Sequence, residues 1–384
     1  MTFSSILKKT KNFDKETAMK KLIIILTCLI ALVGIGYNYR SQKNLKTDSP
    51  VMKIGVIGPM SGNNAALGQN CRQGLEFAKE NLKNNQIDYR FVWEDDGFQA
   101  ARAASAANKL INIDKVDVVI TCSAVSGSAA APIAAAKHKF ILTVIASEAQ
   151  IAAQSPYSFL HWPSPSKEAE KLLELLDKNK AEKVVFFVEN HPGAKALGDA
   201  AIAATKASGR KSIEFNFMST ERNFNDIVLK ADAEKADMWV LLTLQPGINI
   251  IGKRIQEMNI QTPYTTEEIP TFMEDKSMFE GKEFVDVYDG NPELMQRYME
   301  KYNTKNLYGV AFAYDSLMII NQLAEDFYQK NKSLPDSKAL AEGLQNLKGY
   351  VGAVGPVTID ENGILQTEAV IKKVENGQIV PLKE

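Results

Sequence analysis

The sequence predicts an α/β protein with two successive doubly wound units, each a parallel sheet covered by helices. Three observations support this fold class. From residue 51 onward, short apolar runs alternate with segments whose apolar residues recur at helical spacing. The alternation pauses at the Pro-rich stretch "HWPSPS" and then starts again. The length of 384 residues is sufficient for two hydrophobic cores, so we expect two lobes facing one another.

The first unit contains four apolar runs that are typical of buried strands, because they are rich in Val, Ile and aromatic residues. These predicted strands span residues 52–57, 89–93, 116–121 and 140–145. Segments with helical periodicity separate them, at residues 67–84, 99–112 and 128–137. Strands and helices that alternate in this way form right-handed βαβ crossovers.

The second unit repeats the pattern and is followed by a more helical segment. Its predicted strands span residues 183–188, 212–217 and 238–244. Its predicted helices span residues 167–179, 194–208, 225–234 and 248–258, and further helices are expected at 292–303 and 308–331. The later stretch "LKGYVGAVGPVTIDENG" predicts a hairpin whose tight turn is Asn362-Gly363.

The N-terminal segment has the layout of an export signal. Met19-Lys20-Lys21 precedes an apolar run at residues 22–36, and the chain then turns polar over a linker at 37–50. Residues 1–18 form a possible upstream extension. The run is shorter than the roughly 20 residues of a membrane-spanning helix, which favours a cleaved signal over a retained anchor. Cys28 follows "ILT", a weak lipobox, so lipidation stays open as a third outcome.

Composition and cysteine usage exclude several classes of protein. The 45 basic and 46 acidic residues give a net charge of −1, so no large basic surface for nucleic acid is expected. There is no Cys-x-x-Cys, and the three histidines are scattered, so neither a metal nor a cofactor is expected. Cys71 and Cys122 could pair in an oxidising compartment. Because Cys71 lies on the apolar face of its predicted helix, we expect two separate buried thiols instead.

The sequence lacks the common catalytic motifs. In the opening stretch "KIGVIGPMSGNNAALGQNCRQG", Gly68 is followed by Gln69 rather than by the Lys-Ser/Thr of a phosphate-binding loop. There is no Gly-x-Ser-x-Gly and no His-Glu-x-x-His. Glu94-Asp95-Asp96 is expected to be a solvated strand end that caps the next helix rather than a set of metal ligands. The sequence therefore favours a binding protein over an enzyme.

The stretches "IGPMSGNNAALGQNCRQGLEFAKE", "EDDGFQAARAASAANKLI", "VVITCSAVSGSAAAPIAAAKHKFILTVIAS" and "LKGYVGAVGPVTIDENG" resemble periplasmic solute-binding proteins of the branched-chain amino acid type. The resemblance implies a type I fold, in which two lobes are joined by three crossing strands and close around a ligand. It places lobe one at residues 51–162 and 283–352, and lobe two at 163–282 and 353–384. It also implies delivery to an ABC importer outside the cytoplasm. A membrane-tethered receptor of the same fold is the alternative.

The resemblance also implies a set of ligand-binding residues. An amino-acid carboxylate needs donors at helix starts, which Ser123, Ser126 and Ser147 are expected to supply, although each serine could be a helix cap instead. The family's acidic position, which receives the ammonium group, falls at Glu268 or the adjacent Glu267. Glu148 would add negative charge beside these carboxylate-binding serines and favour an amine or amide there. The remaining expected lining residues come from three loops and the first helix: Ser61, Leu67, His191 and Gln245.

Overall fold

Three β-sheets and eleven α-helices organise the part of the chain that the structure, a computed structural model, describes: residues 49–83, 85–273 and 275–382. The expectations for the leader, including the signal at 19–36 and lipidation at Cys28, lie outside these residues. Residues Val51–Glu384 form one compact unit.

The strands of the described chain are, in order, β1 Val51–Gly58, β2 Asp88–Asp95, β3 Val118–Thr121, β4 Ile141–Val144, β5 Ser158–His161, β6 Lys183–Asn190, β7 Lys211–Met218, β8 Met238–Leu242, β9 Tyr264–Thr265, β10 Glu283–Val287, β11 Tyr350–Gly352, β12 Gly355–Ile359, β13 Ile364–Gln366, β14 Ala369–Glu375 and β15 Gln378–Pro381. All seven strands predicted for the two units are confirmed.

The helices of the described chain are α1 Ala65–Asn81, α2 Ala100–Asn112, α3 Ala124–Ala136, α4 Ala149–Ala152, α5 Pro165–Lys178, α6 Pro192–Ala207, α7 Asn225–Ala233, α8 Gly247–Glu257, α9 Pro292–Tyr302, α10 Val310–Asn331 and α11 Ser337–Gln345. Short 3₁₀ turns occur at Ile269–Phe272 and Ser277–Phe279. The nine predicted helices are confirmed, and α4 and α11 are additional.

The first sheet has eight strands in the order β11-β12-β13-β5-β4-β3-β1-β2. Strands β13, β5, β4, β3, β1 and β2 are parallel, while β11 and β12 are antiparallel additions at one edge. The predicted turn at Asn362-Gly363 is confirmed, with Gly363 at φ +82°, a conformation that glycine adopts without strain. This sheet and the helices around it share one hydrophobic core, and together they are called the first lobe.

The second lobe comprises a four-stranded sheet in the order β7-β6-β8-β9 and a three-stranded sheet in the order β10-β14-β15. Hydrophobic clusters lie on the two faces of its larger sheet; Phe187 and Trp239 belong to one, Phe186 and Val240 to the other. Side chains of successive residues point to opposite faces of a strand, which explains why β6 and β8 read as continuous apolar runs.

Two predicted lobe boundaries are corrected by the pairing of the strands. Residues 353–384 were expected in the second lobe, but β12 and β13 join the first sheet, where β13 pairs in parallel with β5. Residues 283–352 were expected in the first lobe, but β10 pairs with β14, and Phe284 packs in a second-lobe core. The chain therefore crosses between lobes three times, at residues 162–164, 288–291 and 367–368.

Cys71 and Cys122 form a disulfide, with their Cα atoms 6.0 Å apart, so the expectation of two separate thiols is wrong. The helical pattern correctly placed Cys71 on the buried face of α1. That face packs closely over the end of β1, because Gly68 has no Cβ; an added one would lie 2.4 Å from the Pro59 carbonyl oxygen, and Gly58 at the same strand end lies against Cys122. The close approach brings the two sulfur atoms within bonding distance.

Candidate ligand-binding site between the two lobes

A cavity of about 70 Å³ lies where the carboxyl ends of the parallel strands in both lobes face each other. Ligands of open α/β sheets bind at this edge of the strands. Leu67 and Trp162 of the first lobe and Leu197 and Leu242 of the second are among its lining residues. The volume accommodates roughly five to seven water-sized groups, which is the size of a small metabolite rather than of a peptide.

The amino-terminal ends of α3 and α6 meet at this cavity, one from each lobe. A Cβ added to Gly193 at the start of α6 would lie 3.8 Å from the Cβ of Ala124 at the start of α3. Both residues line the cavity, and their positions in the first turn leave their N–H groups without an intrahelical acceptor. Two converging helix starts with positive dipole ends favour an anionic group.

Ser123 is the N-cap of α3, and its hydroxyl is oriented by a chain of hydrogen bonds. Its Oγ accepts from the backbone N–H of Ser126 at 3.1 Å and lies 2.6 Å from the Ser126 hydroxyl. The Ser126 hydroxyl in turn donates to the buried carboxylate of Asp96. Because each hydroxyl has a single proton, Ser123 donates to Ser126 and keeps a lone pair for a ligand. The helix amides rather than this hydroxyl are therefore the donors here.

His191 presents a fixed tautomer to the cavity. Its Nδ1 accepts from the backbone N–H of Ala194 at 3.2 Å, which places the proton on Nε2. That Nε2–H is buried and has no partner among the described residues. Burial lowers the pKa of His191, so the ring is neutral near pH 7. The ring stacks on Phe98 of the first lobe with centroids 5.8 Å apart, which adds a contact between lobes.

Two adjacent glutamates form the acidic part of the lining, and they differ in their hydrogen bonds. Glu268 accepts from the indole Nε1–H of Trp162 at 2.8 Å and from the hydroxyl of Tyr308 at 2.7 Å. Glu267 is 1% exposed, and neither of its carboxyl oxygens has a partner within the described ranges. Glu267 is therefore the carboxyl group that a ligand is able to engage.

Burial sets the protonation of these two groups. Burial raises the pKa of Glu267 to about 8, and the negative charge of Glu268 adds to the effect. Burial also raises the pKa of Glu268 to about 7, a rise that the hydrogen bonds from Tyr308 and Trp162 and the charge of Lys372 oppose. The nearby carboxyls of Glu168 and Asp286 are likewise buried. In the ligand-free protein at pH 7, Glu267 is thus mainly neutral.

The rest of the cavity wall is mostly apolar. Leu67, Ile145, Leu197, Leu242 and Ile269 contribute side chains from both lobes. No Lys or Arg is among the described residues that line the cavity. The lining therefore suits a ligand with an apolar portion and at least one group that donates to a carboxylate.

Five of the nine residues expected to bind ligand line this cavity, and the structure brings them together from five separate segments. They are Leu67, Ser123, Ser147, His191 and Glu268. Ser147 also donates to Glu168 at 3.5 Å, at the outer limit of a hydrogen bond.

The other four expected residues lie elsewhere. Ser61 lies outside the lining because its hydroxyl donates to Asp95 at 2.6 Å. Ser126 is fully buried behind Ser123, where its hydroxyl binds Asp96. Gln245 lines a different, wider crevice between the lobes. Ile145, Ala146 and Ser147 line the cavity, but the next residue, Glu148, is buried outside the lining. The negative charge that was predicted beside the serines is therefore absent from the cavity wall.

The acidic run after β2 also differs from its expected role. Asp96 is fully buried rather than solvated, and Asp95 accepts from the backbone N–H groups of Met60 and Gly97. Both carboxylates hold loops of the first lobe in place instead of capping α2. Asp96 acts on the cavity indirectly, since it orients the two hydroxyl groups of Ser126 and Ser123.

Among the lining residues that sequence reasoning missed are Phe98, Trp162, Thr243 and Tyr308. Each follows a strand end or precedes a helix. Trp162 comes directly after β5, a strand of four residues that was not predicted from the sequence. Recognition of that strand would have placed Trp162 at the same edge of the sheet as Ser123.

Within the described ranges, no group of three or more His, Cys, Asp or Glu side chains is arranged to hold a metal ion. None of the helices in those ranges combines the length and the apolar character needed to cross a bilayer.

Residues 51–378 match the sequence profile of the periplasmic binding proteins, and the chain belongs to that family. Leu/Ile/Val-binding protein homolog 3 of Brucella melitensis is 22% identical over 349 residues, which cover 86% of this chain and 93% of that protein. The predicted resemblance to the branched-chain amino acid type is thereby confirmed.

Solved structures with different ligands share the fold. A leucine binding protein, LivK, from Thermotoga maritima has a TM-score of 0.79 and 23% identity, with 86% of this chain and 98% of that chain covered. An ABC transporter solute binding protein from R. palustris, in complex with 4-hydroxybenzoate, has a TM-score of 0.76 and 19% identity, with 87% and 96% covered. These likenesses confirm the fold, and the ligand has to be argued from the cavity.

Proposed function

We propose that this protein is an extracytoplasmic, non-enzymatic solute-binding protein that encloses a small apolar amino acid between its lobes and presents it to an ABC importer. Family membership supports the general role and the location. The observation that carries the ligand assignment is the polarity of the cavity: two helix starts and His191 supply donors, while Glu267 supplies an unpartnered carboxyl.

The ligand's carboxylate is assigned to the two helix starts and His191. The N–H groups of Ala124 and Gly193 and the Nε2–H of His191 are donors without a permanent acceptor, and two helix dipoles reinforce their effect. A buried donor that lacks a partner destabilises a protein by about 1–3 kcal/mol. A ligand carboxylate removes that penalty in all three places.

The ligand's ammonium group is assigned to Glu267. A cation beside a buried carboxyl favours the ionised form, so binding lowers the pKa of Glu267 and displaces its proton. The lone pair that Ser123 keeps is a second acceptor for the ammonium. The apolar side chain then contacts Leu67, Leu197 and Leu242, and the small cavity volume favours compact side chains.

The mechanism is closure of the lobes around the ligand. A ligand that touches both lobes binds the closed form more tightly than the open form and shifts the population toward it. The three crossings at 162–164, 288–291 and 367–368 are the segments about which the lobes are able to rotate. The closed, loaded protein is the form that a permease recognises.

A thermal-shift screen of the purified protein tests this assignment. The panel contains the standard amino acids, their decarboxylated amines, their deaminated acids, and 4-hydroxybenzoate. We expect small apolar α-amino acids to raise the melting temperature by mass action, and analogues that lack either charged group to have little effect.

Variants connect the result to the cavity. The shift should disappear in Glu267→Gln and persist in Glu214→Gln, a matched substitution at an exposed glutamate on β7. A shift caused by compounds without an amino group, and retained in Glu267→Gln, would keep the solute-binding role and discard the amino acid.

A further inference from the structure

We propose that Glu268 is a positioning residue that latches the two lobes together before a ligand binds, while the adjacent Glu267 is left to the ligand. The inference rests on the proposed function for its biological meaning, since a latch matters only in a protein that closes around a solute. Its test uses the ligand-free protein and is therefore independent of the ligand's identity.

Glu268 lies between the two lobes. It follows β9 and precedes β10, both strands of the second lobe. Its two hydrogen-bond donors, Trp162 and Tyr308, belong to the hydrophobic core of the first lobe. One carboxylate thus joins the lobes through two bonds, at 2.8 Å and 2.7 Å, and one bond ends on each of its oxygens.

The two donors, Trp162 and Tyr308, are held in place by contacts other than those with Glu268. The ring of Trp162 contacts that of Tyr308 edge to face at 5.3 Å and that of Phe312 at 4.4 Å. Trp162 is fully buried, and Tyr308 is 3% exposed. The first lobe therefore presents two preorganised donors, and hydrogen bonds from such donors to an ionised acceptor are among the stronger ones in proteins.

The backbone of Glu268 has an unusual conformation. Its φ is +62°, in the left-handed region that a glutamate rarely adopts. Such a conformation persists when the surrounding contacts determine it, and it is concentrated at functional positions. At this position the carboxylate of Glu268 bonds to the first lobe, while Glu267 keeps its own carboxyl at the cavity.

The two glutamates also differ in the groups that surround their carboxyls. Glu268 has two donors and the positive charge of Lys372 to favour its ionised form. Lys372 is itself paired with Asp286 at 3.0 Å and Asp289 at 2.6 Å, close to the second crossing. Glu267 has no such support among the described residues. Glu268 is engaged by two donors of the first lobe and Glu267 keeps an unpartnered carboxyl, so the two tasks are divided between neighbouring residues.

The test compares variants that remove the donors but keep the ring shapes. Trp162→Phe and Tyr308→Phe each delete one bond, and the double variant deletes both. In small-angle X-ray scattering without ligand, we expect the radius of gyration to increase in Glu268→Gln and in the double variant. Glu267→Gln should leave the radius of gyration of the ligand-free protein unchanged, because the carboxyl of Glu267 makes no hydrogen bond to a described residue of the opposite lobe.

Trp239→Phe is the matched control. Trp239 is also fully buried, but its indole N–H has no partner in the described part of the chain. The control removes the same chemical group from a core without touching the latch. Its radius of gyration should equal that of the wild-type protein, so an increase in the Trp162 variant cannot be attributed to the loss of an indole as such.

A spectroscopic readout separates a latch from simple packing. The chain has three tryptophans, so three indole N–H resonances are expected. The Trp162 resonance should shift with pH as Glu268 ionises, and the shift should be absent in Glu268→Gln. The Trp239 resonance should not follow this titration.

Ligand kinetics provide the last readout. Loss of a charge-assisted bond should raise the ligand dissociation rate about tenfold in Trp162→Phe. An unchanged radius of gyration in the folded double variant, together with a Trp162 resonance that is insensitive to pH, would overturn the latch. A failure of the proposed function would instead appear as the absence of any amino-acid ligand, with the scattering result unaffected.

Discussion

Glu267 and Glu268 are consecutive residues of the second lobe, yet the carboxylate of Glu268 accepts two hydrogen bonds from the first lobe while that of Glu267 accepts none from the described residues. The difference is the basis for the proposal that Glu268 acts in closure and Glu267 in ligand binding. Two acidic groups are tolerated in a cavity with no Lys or Arg in its described lining because burial raises the pKa of both, and because two donors satisfy the carboxyl of Glu268.

The first prediction concerns the carboxyl that is available to the ligand. Glu267→Gln removes a buried charge-assisted contact with the ammonium group and should weaken the affinity by about 2 kcal/mol, or roughly 30-fold. Isothermal titration calorimetry with the best ligand of the screen measures this loss. Glu214→Gln serves as the control at an exposed site and should bind as the wild type does. Equal affinities in all three proteins would remove Glu267 from the site.

The second prediction is that binding depends on pH. Glu267 is protonated below about 8 in the free protein and becomes ionised beside the ligand's ammonium group, so binding releases up to one proton. Affinity should therefore rise between pH 6 and 8, by at most about tenfold per unit, and level off above that. The charged groups around Glu267 are Glu268, Glu168, Asp286 and Lys372, none of which is a ligand contact in this account.

Calorimetry in buffers with different enthalpies of ionisation measures the proton release directly. In Glu267→Gln the release and the pH slope should both be reduced. A slope that is the same in the variant and the wild type would show that another group is responsible.

The third prediction separates two roles of His191. His191→Ala removes the N-cap of α6 and should lower stability by about 1 kcal/mol, and it should also weaken ligand binding. His191→Asn supplies a good N-cap without the Nε2–H. It should restore the melting temperature while leaving affinity about tenfold below the wild type. Recovery of full affinity in the Asn variant would mean that His191 acts only through the helix.

The fourth prediction concerns the disulfide. The bridge joins residues 51 positions apart, and a loop of that length constrains the unfolded chain by about 4 kcal/mol in the chain-entropy description. The double variant Cys71→Ala and Cys122→Ala should lower the free energy of unfolding by about that amount in denaturant titrations. Alkylation of both thiols in the unreduced, denatured wild-type protein would contradict the bridge.

The sequence was sufficient for most of the fold because its signals are local. The predicted strand at residues 52–57 corresponds to β1, and the Asn-Gly turn appears where it was expected. Hydrophobic periodicity and turn residues act over a few positions, and in βαβ units they determine the order of elements. The short strand β5 was missed, since four residues next to a proline-rich stretch give little periodicity.

The candidate site depended on contacts that are distant in sequence. The partners of Glu268 lie 106 and 40 positions away, so no local pattern distinguishes it from Glu267. The helical pattern placed Cys71 on a buried face, but it could not show that this face meets Cys122. Likewise, Ser126 had the expected residue type, and its hydroxyl is directed to Asp96, 30 positions earlier in the chain.

The most direct test of the account is a crystal structure of the protein with the amino acid that the screen selects. The account predicts that the ligand's nitrogen lies within hydrogen-bond distance of Glu267, that its carboxylate faces the starts of α3 and α6, and that Trp162 still donates to Glu268. A ligand bound in the wider crevice beside Gln245, or one whose amino group points away from Glu267, would contradict it.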